Sequence, residues 1–413
     1  MAVGLRAGSG RMTRLAGAAL LRLTLARACA WGLLVAGWVG IGSFALQFAP
    51  SVSWGFALVA LWLVALGAAA KVATRGGMRS WTRALALCAG VVGTDFGLWW
   101  SVHGGGLGAV LLALAGWAAL TALASGVVRS LRLAQSTVPT PPVAAASLGA
   151  LSAGLVIGDP GDLPTLTTHL AWSVLGVAII LMALQRHRVD RPGSPGCRAG
   201  LFDCSLPAWP TGAWRDPLQW PVLLAGLAML PMMATLPLMA AWCRAQSIDP
   251  QVDVLLHLAA MFVPALVLRG SIARWSSRTL AVVCTLLLAT GGALAAWAPA
   301  PTNLLGLTAA HGAAWGMAWS GQLWAPGRRG REGSSPLHAA IGYALVTGLF
   351  GLAVERSGVH GVIGVHALLG LAAVMAMGFA AARSKPVPPS ERRHHGGEPP
   401  HPVEAAGSGK AAR

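Results

Sequence analysis

The sequence predicts an all-α polytopic membrane protein, with twelve transmembrane helices arranged as two six-helix bundles in a pseudo-symmetric repeat. Three observations predict it. The 413 residues are 55% hydrophobic and only 10% charged, with a mean hydropathy of +0.64, whereas a soluble domain carries about 25% charged residues. Basic residues fall at every second boundary between apolar segments, as cytoplasmic loops that retain Lys and Arg require. The apolar segments themselves divide into six, a long polar loop, and six more.

The basic clusters lie at Arg6 to Arg27, Lys71 to Arg83, Arg129 with Arg132, Arg186 to Arg215, Arg269 to Arg278, Arg328 to Arg331, and Arg383 to Arg413. Only Arg244 and Arg356 of the 30 basic residues fall at the boundaries in between. With the N-terminus inside, every cluster becomes cytoplasmic. The expectation is a multi-pass protein of the inner (plasma) membrane with both termini in the cytoplasm. The net charge of +17 is then a matter of topology. It forms no single basic patch, so no nucleic-acid partner is expected, though the loops should be drawn to anionic headgroups of the lipid bilayer.

A spanning helix needs about 20 mostly apolar residues. Such segments are 28–49, 52–70, 84–102, 106–128, 143–158 and 164–185, then 219–242, 252–268, 279–298, 303–325, 336–354 and 358–382. The organisation that follows is a cytoplasmic amphipathic segment (1–27), an N-terminal six-helix bundle (28–185), a cytoplasmic linker loop (186–218), a C-terminal six-helix bundle (219–382) and a disordered cytoplasmic tail (383–413). Arg22 interrupts the apolar run of the first segment, so a helix on the membrane surface is expected there and not a cleaved signal peptide. The outer links are turn formers: Ala49-Pro50-Ser51, His103-Gly104-Gly105-Gly106, Gly158-Asp159-Pro160-Gly161 and Ala298-Pro299-Ala300-Pro301. Links this tight make consecutive helices antiparallel neighbours.

The chemistry expected of an enzyme is missing. No nucleophile triad, phosphate-cradling loop or metal-ligand spacing appears, so the sequence implies no catalysis, cofactor or metal. The six cysteines show no CxxC spacing and read as small apolar side chains.

One loop is repeated. Ala70 to Arg79 follows the second span, and Gly270 to Arg278 follows the eighth, 200 residues later. In the first copy Val72, Ala73, Arg75, Gly77 and Arg79, and in the second Gly270, Ile272, Ala273 and Arg278, resemble the gate-loop signature of the major facilitator superfamily (MFS). Thr74 stands where that family has Asp, and Arg274-Trp275 replaces the Asp-Arg pair. The segment from Gly351 to Gly358 is similar to the family's link between its last two helices. Gly149, Gly154, Gly158 and Pro160 loosely echo a glycine-proline motif of family exporters. The resemblance covers essentially the whole chain. It implies a secondary transporter whose two halves rock about a central site. It also makes Arg75, Gly77, Arg79, Gly270 and Arg278 cytoplasmic gate-loop residues.

The resemblance further implies that the first, fourth, seventh and tenth spans line the cavity. On the tenth, Thr308, His311, Trp315, Trp319 and Gln322 recur at spacings of three and four, which puts them on one helix face. Gly306, Gly312 and Gly316 lie off that stripe and suit close packing. Trp31, Trp38 and Gln47 in the first span, Trp117, Thr121 and Ser125 in the fourth, and Met229, Met232, Met233 and Met239 in the seventh complete the lining. Ordinary core packing is the competing reading for these methionines. Trp and Met offer adaptable apolar surface, which suits a small lipophilic or amphipathic solute.

Asp95 is the one carboxylate well inside a predicted span, and it is the candidate for proton coupling. Asp253 and His257 sit near the outer end of the eighth span, within reach of water. The expected function is therefore proton-coupled efflux of a small-molecule substrate by a monomer. Proton-driven import of a metabolite, and an assembly factor or scaffold that has lost transport, are the alternatives.

Overall fold

The structure is a computed structural model. It describes residues 49–75, 106–119, 142–157, 217–272, 274–324 and 336–383, with scattered helical positions in 21–48 and 89–100. Among the described residues every regular element is helical and none is a strand. The second span is the helix Val52–Arg75, the fifth Pro142–Ile157 and the seventh Trp220–Ala245. The eighth is Pro250–Val267, the ninth Ser277–Trp297 and the tenth Thr302–Trp324. Gly106–Ala119 lies in the fourth. Pro250–Val267, Ser277–Trp297 and His360–Arg383 are each long and apolar enough to cross a membrane. Together with the composition, they make this a multi-pass membrane protein. The sixth span, nearly all of the linker loop, the tail beyond Arg383 and most of segment 1–27 lie outside the described residues.

Helix ends follow local chemistry. Asp249 caps the eighth span by accepting from the Gln251 amide at 2.9 Å, and Pro250, which has no N–H to leave unpaired, occupies the first helical position. Ser276 caps the ninth by accepting from the Thr279 amide at 3.0 Å. The last two spans form one run, Pro336–Arg383, broken at Gly358, whose φ of 55° and ψ of −135° are non-helical. A side chain with a Cβ rarely adopts that geometry, so this glycine sets where the eleventh span ends and the twelfth begins.

Small residues set how closely the helices approach. A Cβ at Gly312 would lie 2.6 Å from the His257 carbonyl oxygen, and one at Gly316 would strike the Met261 carbonyl. The tenth span therefore lies backbone against backbone on the eighth. Lipid tails supply little hydrophobic drive between helices, and close contact of this kind holds them instead.

Among the described residues the two closest helix pairs between the halves are the second span with the eleventh and the fifth with the eighth. Advancing each number by six turns one pair into the other, the relation expected of two equivalent halves. Both pairs carry a polar latch at the face of the short turns. In one, a Glu355 carboxylate oxygen accepts from the Ser53 amide at 2.7 Å and from the Ser51 hydroxyl at 3.3 Å. In the other, the Gln251 side-chain amide donates to the Leu155 carbonyl at 3.1 Å. Ser51 and Gln251 are 200 residues apart, as are Leu155 and Glu355. That is the separation of the two repeated loops. Ser53, through its hydroxyl and its amide, holds the exposed Glu355 carboxyl below the usual carboxylate range.

Candidate functional site

The tenth span carries the site, and its stripe is buried as the spacing predicts. Thr308, His311, Trp315 and Trp319 are 2% exposed or less. Trp315 and Trp319, one helical turn apart, stack within 8° of parallel at 5.7 Å between ring centroids. Phe262 of the eighth span meets both edge-on, at 5.9 and 5.8 Å. Trp31 of the first span closes the cluster, 5.1 Å from Trp319 and 5.8 Å from Phe262, again edge to face. Both halves therefore contribute rings to one packed centre. An aromatic pair adds about 0.5–1.5 kcal/mol beyond the area it buries. Withdrawing Trp31 breaks two such pairs, a cost of roughly 1–3 kcal/mol, which lies within the range of ordinary conformational equilibria.

Closer to the short turns the same span turns polar. His311 abuts His366 of the twelfth span, with centroids 4.0 Å apart and rings at 72°. Phe350 of the eleventh span flanks His366 at 6.0 Å. His257 of the eighth lies 3.1 Å, through Nδ1, from the Thr308 carbonyl oxygen. All four ring nitrogens of His311 and His366 are buried without a hydrogen-bond partner among the described residues. An unpaired buried donor or acceptor costs about 1–3 kcal/mol, so packing stability is no reason to keep this pair.

Asp253 departs from the sequence expectation. The sequence puts it near water, but it is 3% exposed, because the helix already begins at Pro250 and packs along its length on the tenth span. Asp253 is therefore a second carboxylate inside the apolar region. His366 and Phe262 are site residues that the sequence reading does not single out. For His366 the signal is present, an ionisable ring within an apolar span. Phe262 has none, because an apolar residue in an apolar helix announces nothing.

The other candidates fall as follows. Trp117 is buried in the fourth span and belongs to the same core as the ring cluster. Gln322 and Met232 lie on their expected helices, but their side chains are outside the described residues, while Met239 is buried. Trp38, Thr121, Asp95, Gly77 and Arg79 are outside the described residues. Arg75 is the last residue of the second-span helix, and its side chain is likewise not described. Gly270 sits in the one-turn helix Arg269–Ile272, where its carbonyl accepts from Arg274 Nε at 3.1 Å. Arg278 is exposed in the first turn of the ninth span. Among the described residues no group of three His, Cys, Asp or Glu is arranged to hold a metal ion.

No family model matches the sequence, and no curated protein matches it either. Solved structures do match. The nucleoside transporter NupG aligns over 88% of this chain and 98% of its own, at 15% identity and a TM-score of 0.60. A variant of it gives 14% identity and a TM-score of 0.61, over 88% of this chain and 99% of that one. A bacterial homologue of the iron transporter ferroportin, in its outward-facing state, aligns over 88% of this chain and 99% of its own, at 15% identity and a TM-score of 0.50. Full-length likeness at such low identity speaks to architecture alone. The helix pairing and these matches agree on it, and the fold of this chain is that of the major facilitator superfamily.

Proposed function

We propose that this protein is a secondary transporter, moving a small lipophilic or amphipathic solute by alternating access, with proton-driven export as its direction. The observation that carries this reading is the four-ring cluster of Trp31, Phe262, Trp315 and Trp319, drawn from both halves and sealed from solvent. A solute can touch these rings only if the halves part. A parted cluster would offer flat apolar faces without fixed charge, since the described arginines with described side chains, Arg244, Arg274, Arg278, Arg356 and Arg383, are all exposed. The two latches fit the same reading, since they hold shut the face at which they lie.

In this reading the chain works as a monomer in the inner membrane with both ends cytoplasmic. Its moving bodies are the units 28–185 and 219–382, and Asp95 is its proton carrier. The test is purified protein in liposomes carrying an imposed pH gradient, with a fluorescent lipophilic dye as probe. Gradient-driven dye movement that falls at least tenfold in Trp315→Ala/Trp319→Ala is the expected result. No movement of the dye in either direction, together with no thermal stabilisation by any member of a metabolite and drug panel, rejects the reading.

Import of a flat, ring-bearing metabolite is a second reading. The near-parallel faces of Trp315 and Trp319 favour it, and one structural neighbour is named for nucleosides. Accumulation inside liposomes with the gradient, and not expulsion, would select it. A scaffold that has lost transport would keep its role in cells when His311, Trp315 and Asp95 are replaced together.

A further inference from the structure

The contact between His311 and His366 is the one titratable cluster in the described residues that neither packing nor the ring centre explains. We propose that these two imidazoles together bind a single exchangeable proton, and that its arrival and departure are tied to the opening of the ring cluster. The proposal rests on the transport reading for its purpose but not for its test.

Each neutral imidazole offers one donor and one acceptor nitrogen, and here all four lie buried and unpaired among the described residues with the rings 4.0 Å apart. A proton added to either ring gives that ring a second N–H, which can donate to the free nitrogen of the other once the rings turn edge to edge and draw apart to roughly 5 Å between centroids, as an N–H···N bond of about 2.9 Å requires. Loss of the proton on the other side restores two neutral rings, and nothing is oxidised or reduced. The ninth span packs closely on the pair through glycines. Its Gly291 faces His311 and its Gly292 faces the His366 backbone, at 3.2 Å and 3.1 Å from where a Cβ would stand. The ninth span thus brings no competing polar side chain at these two positions.

The groups around the pair define a route. On the eighth span Asp253 and His257 lie toward the short turns, and His257 and Thr308 already touch. On the eleventh, Phe350 covers His366. Among the described side chains of this half, the other buried titratable ones are Cys243, Cys284 and Tyr343, none of them charged at neutral pH. A proton therefore enters past Asp253 and His257 and meets no fixed cation among the described residues. Trp315 stands one helical turn beyond His311 and Trp319 two. A shift of the tenth span against the twelfth, as the rings turn, moves the stacked indoles directly. Asp95 remains a separate candidate in the other half.

The experiment counts protons. Full-length protein in nanodiscs is titrated potentiometrically between about pH 8 and 5, the window in which imidazoles change charge, as wild type, His311→Asn, His366→Asn and the double variant. One proton fewer in each single variant, and the same one fewer in the double, is the expected result. Curves that superimpose, or a double variant that loses two protons, overturn the proposal. Should a variant fail to fold, 15N-labelled histidine in the wild type decides. Two imidazoles titrating as one coupled event support sharing, and independent titrations or none reject it. If the proton is bound but no solute moves in liposomes, the transport reading falls and the proton site stands. If solute moves while the variants bind as many protons as wild type, only the proton site falls.

Discussion

The two junctions between the halves occupy equivalent places and are built differently. Where the second span meets the eleventh, Phe56 packs on Phe350 at 5.6 Å and against Gly351, and a carboxylate closes the end by accepting two hydrogen bonds. Where the fifth meets the eighth, the latch is one neutral bond from a side-chain amide to a backbone carbonyl. Symmetry of fold has not produced symmetry of chemistry. One junction answers to charge and acidity, the other to packing and one uncharged hydrogen bond, so the short-turn face should open unevenly.

The largest effect should come from glycines on the two spans that share a place in their halves. Gly149 of the fifth faces the backbone of the first span at Ala28, whereas Gly351 of the eleventh faces the side chain of Phe56. At Gly149 the clash is with main chain, and at Gly351 it is first with the Phe56 Cβ, which moves only with its own backbone, though the ring beyond it can tilt. Gly149→Leu should therefore cost the more, with both at or above the top of the roughly 1–3 kcal/mol range for overpacking. Thermal unfolding in detergent, read beside the yield of monodisperse protein, orders the two. Equal losses would dissolve the distinction.

Next comes Gln251→Leu, which deletes the neutral latch at about 1 kcal/mol, the usual net value of one hydrogen bond. A cysteine placed at Leu155, in a background without the native cysteines, should then react faster with a water-soluble maleimide, to the same degree at pH 5 and pH 7.

The smallest effect should be that of Glu355→Gln, which keeps the shape of the other latch and removes its charge. The carboxylate is exposed, so solvent and salt screen the interaction. A cysteine at Phe56 should show a modest rise in maleimide reactivity that high salt reproduces in the wild type.

The same latch sets a sign for pH. Glu355 is held below the usual carboxylate range in the folded protein, mainly by Ser53. Its contribution is therefore present above an ordinary carboxylate value near about 4.3 and is lost as pH falls through the lower folded value. Reactivity at Phe56 should rise on acidification below that range in wild type and stay flat in Glu355→Gln. A rise at the Leu155 reporter under the same acid would break the comparison.

Much of this was legible in the chain because it depends on periodicity. The second, fifth, seventh, eighth, ninth and tenth spans begin and end within a few residues of where hydropathy puts them, and Gly358 breaks the last run at the start of the predicted segment 358–382. The stripe of Thr308, His311, Trp315 and Trp319 was legible for the same reason, since a 3.6-residue period fixes which side chains share a face. The glycines off the stripe were legible as packing positions, and Gly312 and Gly316 are that.

Partners were not legible. Nothing local distinguishes Phe262 from its apolar neighbour Val263, which is exposed on the outside of the same helix, yet Phe262 is the ring that joins Trp31 to Trp315. Asp253 reads as wet because it stands near a helix end, and it is dry because the tenth span covers it.

The sequence by itself determined that this is a helical membrane protein with a duplicated loop and a polar, aromatic face on its tenth span, because hydropathy, charge and helical period are properties of neighbours along the chain. Only the tertiary structure decided that His311 meets His366 and that Trp31 closes on Trp319. It also decided that the two latches share one face. Those contacts join residues dozens to hundreds of positions apart, and their geometry comes from how closely glycine-bearing helices can approach, which no single segment encodes.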